Sequence, residues 1–393
     1  MGLEKLKTSA KRRRIQLKII LPITAVCLMI DLVCWLSDGG GLVEKAAKLH
    51  MTKIFPVITA PFARLTSALP FSLGEVLIII ALVGVPLSLI LLIILMIVKR
   101  KNKDARRTIK RVYGYTFAWI FVYILLTETL NCFILYQTPS FAKMYDYPNE
   151  KYTPTQLEQL ADFLIVKTNE YSKKVKRDKD GKFVLTADLD ETAAQAMLAL
   201  SDEYPQLEGF YAKPKAVKNS FFMSQQNLMG IYFPFTMEAN YNAQMYPLNL
   251  PDTVCHELAH TKGFIREDEA NFIGFLACDA SENYDYKYSG YLRALKYVIG
   301  ECEENCPEET TARLYGELSD GVITDWNANY DYWKSVEESD EGLLDSKTVA
   351  EVSDKAMEAS LKLNGVEDGK KSYGRMVDLL LDWYFMNLEE VDE

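Results

Sequence analysis

The sequence predicts a membrane-anchored α+β protein: three transmembrane helices, then an α-rich domain with a small sheet ahead of its central helices. Three observations lead there. Residues 76–98 run for 23 positions without a charge, more than the roughly 20 needed to cross a bilayer. The first 111 residues are basic and apolar, whereas the rest of the 393-residue chain is acidic enough to bring the net charge to −10. Beyond residue 136, helix signals dominate, interrupted by one aromatic-rich stretch over 220–236. A charged fraction of 25% with 12% aromatics excludes a largely disordered chain. The acidic part would repel phosphates, so no nucleic-acid partner is expected.

The membrane region covers 1–136, with spans at about 19–36, 76–98 and 112–136. Only Asp31 breaks the first, and Glu128 and Asn131 fall near the far end of the third. Lys5, Lys7, Lys11, Arg12, Arg13, Arg14 and Lys18 precede span one, and eight further Lys and Arg fill 99–111. Both basic segments belong on the cytoplasmic side. The loop 38–72 and everything after Tyr136 then lie outside, which requires the odd number of spans found. No small-residue cleavage site follows span one cleanly, so it reads as a retained anchor in a multi-pass cell-membrane protein. Asp31 and Glu128 read as carboxylates near enough to the outer surface to reach water. The loop 42–69 is amphipathic, is broken by Pro56 and Pro61, and is expected to lie along the bilayer beneath the domain.

The outer domain is 137–393. Thr153 with Gln156 forms a capping box, and Pro154 suits the first helical position, so a helix runs to about Val175. A second covers 190–204. Ser220–Ser224 and Gly230–Thr236 read as strands, the latter confined to a sheet edge by Pro234. Helices are expected over 252–262, 267–282, 289–300, 308–320, 345–364 and 372–388. Seven cysteines make no disulfide framework, and Cys302 and Cys306 either pair or stay free.

The chemistry sits in His256-Glu257-Leu258-Ala259-His260. The chain has three histidines, and two are here. On a helix, positions i and i+4 share a face, so both imidazoles can reach one Zn²⁺, with Glu257 beside them as proton acceptor for a water the metal activates. As plain structure, this would be a helix with two partly exposed histidines. A catalytic zinc needs a third protein ligand. His50, in the loop after span one, is poorly placed, so a carboxylate is expected. Gly263 can end the first helix and turn the chain. A second helix from Glu267 puts Glu267, Ala270 and Asn271 on one face, as ligand, packing contact and hydrogen-bonding partner of a ligand. Glu269, some 200° round the helix, is the other candidate. The same acidic cluster would also suit any helix start.

HExxH followed by ExxAN resembles the gluzincin branch of the thermolysin-like zinc peptidases. The longer string HELAHTKGFIREDEANF, with GIYFPFTMEAN upstream, PFSLGE before span two and SYGR near the end, is similar to an uncharacterised bacterial family of three-span membrane proteins grouped with them. The resemblance covers nearly the whole chain and implies a zincin-like domain. One departure is the spacer of six residues from His260 to Glu267, shorter than in most gluzincins. It is closer to metzincins, yet their third His would fall at 266, which is Arg here. The resemblance further implies that the strand Gly230–Thr236, through Asn240, pairs with the substrate backbone, and that a donor such as Tyr373 or Arg375 faces the transition-state oxyanion.

The expected function is a membrane-anchored zinc metallopeptidase. Glu257 and Tyr373 would be catalytic, His256, His260 and Glu267 would bind Zn²⁺, and a peptide or protein would be the substrate. The competing expectation is a non-catalytic, zinc-stabilised sensor or assembly module that keeps the fold. A hydrolase of cell-wall or lipid-linked material is a third.

Overall fold

The computed structural model describes residues 2–37, 40–148, 150–342, 344–363 and 375–392. Contacts divide it into two compact units. The first comprises Met1–His50, Leu73–Thr138 and Pro234–Thr236; the second comprises Met51–Ser72, Pro139–Phe233 and Met237–Glu393. Met51–Ser72, which precedes the second apolar helix, falls in the second unit.

The first unit holds three helices long and apolar enough to cross a membrane: Arg14–Trp35, Leu73–Val98 and Lys103–Gln137. Each contains one of the three expected spans almost entirely, so three apolar helices mark a multi-pass membrane protein. Within this unit the Asn131 amide donates to Pro234 O at 2.9 Å, and His50 Nε2 donates to Leu130 O at 2.8 Å.

The second unit is mostly helical around a three-stranded sheet. Strand β1 (Lys215–Val217) runs parallel to β3 (Glu238–Asn242), and β2 (Gly230–Phe233) pairs antiparallel on its other side. The order β1-β3-β2 leaves β2 at an edge, and its register sets Gly230 opposite Tyr241 and Phe233 opposite Glu238. Pro234 falls just past the strand, as its missing N–H requires.

The capping box at Thr153 forms, and its helix is Pro154–Ser172. The next helix, Leu189–Ala199, is capped by Asp188, whose carboxylate accepts from the Glu191 amide at 2.9 Å. Ser220–Ser224 is a correction: it is helical, Ser220–Gln225, and the strand lies earlier, at Lys215–Val217. The Ser224 hydroxyl donates to Ser220 O at 3.1 Å, a bond available only in a helical turn. A five-residue aromatic run is too short for periodicity to separate strand from helix. The helix expected over 289–300 is longer, Tyr284–Asn305, and Asp320–Glu337 is a helix the sequence did not suggest. Cys302 and Cys306 are free thiols.

Two central helices carry the site. Leu250–His260 buries Val254, Cys255, Leu258 and Ala259 completely. Gly263, at φ 95°, then reverses the chain in a conformation that glycine alone adopts without strain. Glu267–Ala280 returns against it, with Ala270, Phe272, Ile273 and Phe275 fully buried. Phe141 gathers Tyr145, Tyr147, Tyr204, Phe264 and Phe272 with ring centroids 4.8–5.8 Å away. That cluster fixes Phe264, whose carbonyl the site uses.

Candidate metal centre

The helix phase of HELAH and the turn at Gly263 bring three side chains together. Donor atoms of His256, His260 and Glu267 all lie within 4.8 Å of one another. His256 Nε2 is 3.2 Å from Glu267 Oε2 and 3.1 Å from His260 Nε2, and His260 Nε2 is 3.9 Å from Glu267 Oε1. His260 Nδ1 donates to Phe264 O at 2.7 Å. This fixes the tautomer and leaves the Nε2 lone pair facing the cluster, the arrangement metal-ligating imidazoles require.

The electrostatics fit a cation. Burial pulls the His256 pKa down, but the hydrogen bond and charge of Glu267 outweigh it and lift it to about 9. Burial, then the His256 charge, takes His260 down to about 4. The protein alone therefore holds one proton among three converging donors. A divalent cation would satisfy all three at once, so the residues present fit a metal. Only three protein donors converge among the described residues, and structural zinc sites almost always use four.

Glu257 lies beside the cluster, its Oε1 3.9 Å from His256 Nε2. It is 4% exposed, and its Oε2 is buried without a hydrogen-bond partner. Burial pushes its pKa up to about 8, against the His256 charge. The edge strand reaches this carboxylate directly: a Cβ on Gly230 would sit 2.3 Å from Glu257 Oε1 and 2.7 Å from its Cγ. Only glycine permits that approach. Gly230→Ala is therefore expected to displace Glu257. Any hydrolytic turnover should fall by about tenfold or more, since small misplacements of reacting groups cost that much. The metal should stay bound, and overpacking should cost about 1–3 kcal/mol of stability, read by thermal unfolding. Unchanged turnover would mean that β2 does not position Glu257.

Among the other sequence candidates, Glu269 turns away from the cluster, accepting from the Phe141 amide at 2.8 Å and Arg266 Nη1 at 3.0 Å. Asn271 donates to the Tyr297 hydroxyl at 3.4 Å rather than to a ligand. Arg375 pairs with Asp268, the neighbour of Glu267, at 2.9 Å. Tyr373 lies outside the described residues.

Sequence reasoning missed Arg293 and Tyr297. The Tyr297 hydroxyl accepts from Arg293 Nη2 at 3.1 Å and from Asn271 at 3.4 Å. Arg293 Nε is 3.9 Å from Asp252, one turn before His256, and Nη1 lies 3.1 Å from Met229 Sδ, next to Gly230. The available signal was an Arg–Tyr pair at i, i+4.

Three apolar helices and a His-His-Glu cluster on two packed helices thus define a membrane protein with a candidate metal centre. A family described as "Protein of unknown function (DUF3810)" matches residues 50–381, and the chain belongs to it. Comparisons with curated proteins and with solved structures return no match.

Proposed function

We propose that the chain is a membrane-anchored, zinc-dependent metallopeptidase, with a cytoplasmic N-terminus and a zincin-like outer domain over 137–393. The observation that carries the reading is Glu257. A metal held only for structure needs ligands but not a buried carboxylate beside them with one oxygen lacking a hydrogen-bond partner, and burying such a group is costly. Two imidazoles and one carboxylate, with a position left for water or substrate, favour zinc in a catalytic arrangement.

Zinc bound by His256, His260 and Glu267 would supply Lewis-acid polarisation and ready deprotonation of water at neutral pH. The chain does the rest. Phe264 O orients His260. With a divalent cation nearby to favour its ionised form against burial, Glu257 would accept a proton from the attacking water at Oε2 and pass it to the leaving amine. The edge strand β2 would receive an extended peptide alongside Gly230, the residue nearest Glu257. The substrate is a peptide or protein.

Metal analysis of the purified full chain by mass spectrometry tests the site. One zinc per wild-type chain is expected, with most of it lost from Glu267→Ala. No metal in the wild type, or undiminished zinc in the variant, would overturn the ligand set.

A further inference from the structure

Helix Phe55–Ser67, in the same unit as the ligand cluster, buries two threonines beside Phe55 and turns most of its apolar side chains outward. Thr59 and Thr66 are its buried polar residues, and each hydroxyl donates back to the carbonyl four residues earlier, at 2.9 Å. Back-bonding satisfies a hydroxyl where water does not reach. The outward face is apolar: Val57 is 73% exposed, Leu65 64% and Phe62 40%. Val57, Pro61 and Leu65 are spaced by four and form one stripe. Exposed Phe210 extends it beneath the Arg64 guanidinium, 4.6 Å from the ring centroid. A helix facing water shows the reverse pattern.

Chain continuity says what covers the stripe. Five residues, 68–72, separate Ser67 from Leu73, the first residue of the most apolar span. Fully extended, they and the two flanking bonds reach only about 20 Å. We infer that Phe55–Ser67 lies in the bilayer interface, with Val57, Phe62 and Leu65 in the headgroup–acyl boundary. Lys53 and Arg64 flank the stripe and suit lipid phosphates.

The contact bears on the site because the helix is tied to it. Gln206 Nε2 donates both to Met51 O at 3.1 Å and to Lys262 O at 2.7 Å, joining the start of the segment to the end of the HELAH helix. Lys215 Nζ donates to Thr66 O and Phe71 O and pairs with Glu238 of β3 at 3.0 Å. The cluster is thereby held close to the lipid surface. Given the peptidase reading, its substrates are polypeptide segments near the membrane; the lipid contact itself does not depend on that reading.

The test measures no activity, so it fails or succeeds apart from the peptidase reading. A nitroxide is attached at Val57→Cys or Leu65→Cys in the full chain, in a Cys132→Ser, Cys306→Ser background. The protein is placed in nanodiscs of phosphatidylcholine and phosphatidylglycerol. Val166→Cys, 64% exposed on Pro154–Ser172, is the water-facing control. The expected result is a ratio of oxygen to nickel-chelate collisions several-fold higher at 57 and 65 than at 166. Equal ratios would overturn the inference. So would dipolar broadening between labels, which would assign the stripe to a second copy, or shielding from both reagents, which would assign it to a protein partner.

Discussion

Replacing Glu257 by Gln is expected to abolish peptide hydrolysis while leaving the metal in place. Glutamine keeps the shape and one acceptor oxygen but cannot take a proton. Glu257 contributes no atom to the set formed by His256, His260 and Glu267. Losing a positioned general base costs about 10²–10⁴-fold in rate. His256→Ala should behave differently, because it removes a ligand and leaves the half-buried Glu267 beside a vacated position; metal and activity should fall together. Zinc content and turnover of a fluorogenic peptide mixture, measured on both variants, separate the outcomes. Undiminished turnover in Glu257→Gln would sink the mechanism. A wild type that binds zinc, is stable and cleaves nothing under any condition would favour the non-catalytic module.

The parts of this centre that sequence revealed are local. His256 and His260 are one helical turn apart, and Glu267 follows after six residues, so helix phase and one glycine turn nearly determine their meeting. The same phase separates Glu267 from Glu269, which the structure finds against Phe141 and Arg266. The spans were legible because bilayer crossing depends on length and composition alone. What escaped depends on distant partners. Gly230 matters only because Glu257, 27 positions later, comes within reach of its missing side chain. Tyr297 and Arg293 acquire a role only when their helix lies across Asp252 and Asn271. Helix Asp320–Glu337 escaped because a carboxylate, Asp325, sits on its buried face and interrupts the apolar stripe.

That carboxylate carries the largest expected effect on stability. Asp325 is fully buried and accepts four hydrogen bonds. Oδ1 receives the Phe183 amide at 2.8 Å and the Tyr246 hydroxyl at 2.6 Å; Oδ2 receives Arg177 Nη1 at 2.9 Å and the Tyr288 hydroxyl at 2.7 Å. Asp325→Ala would take the carboxylate acceptor from two tyrosine hydroxyls, leave the Phe183 amide only its longer bond to the Tyr246 hydroxyl at 3.1 Å, and leave a half-buried guanidinium without its counter-charge. Breaking a buried pair in this way costs about 3–5 kcal/mol. Asp325→Asn keeps the volume but turns a donor toward Arg177 or toward a tyrosine hydroxyl, so it should cost somewhat less, about 2–3 kcal/mol. The loss should reach the metal as well. Tyr246 is the residue before the turn Pro247–Asn249 that feeds the HELAH helix, and Tyr288 belongs to the helix packed against it. Releasing both loosens the frame that holds His256, so zinc should dissociate from Asp325→Ala at a lower chelator concentration than from the wild type. Thermal unfolding of the full chain in detergent, repeated with and without chelator, reads both effects. An Asp325→Ala chain that melts with the wild type would show that the four hydrogen bonds do not hold this part of the fold.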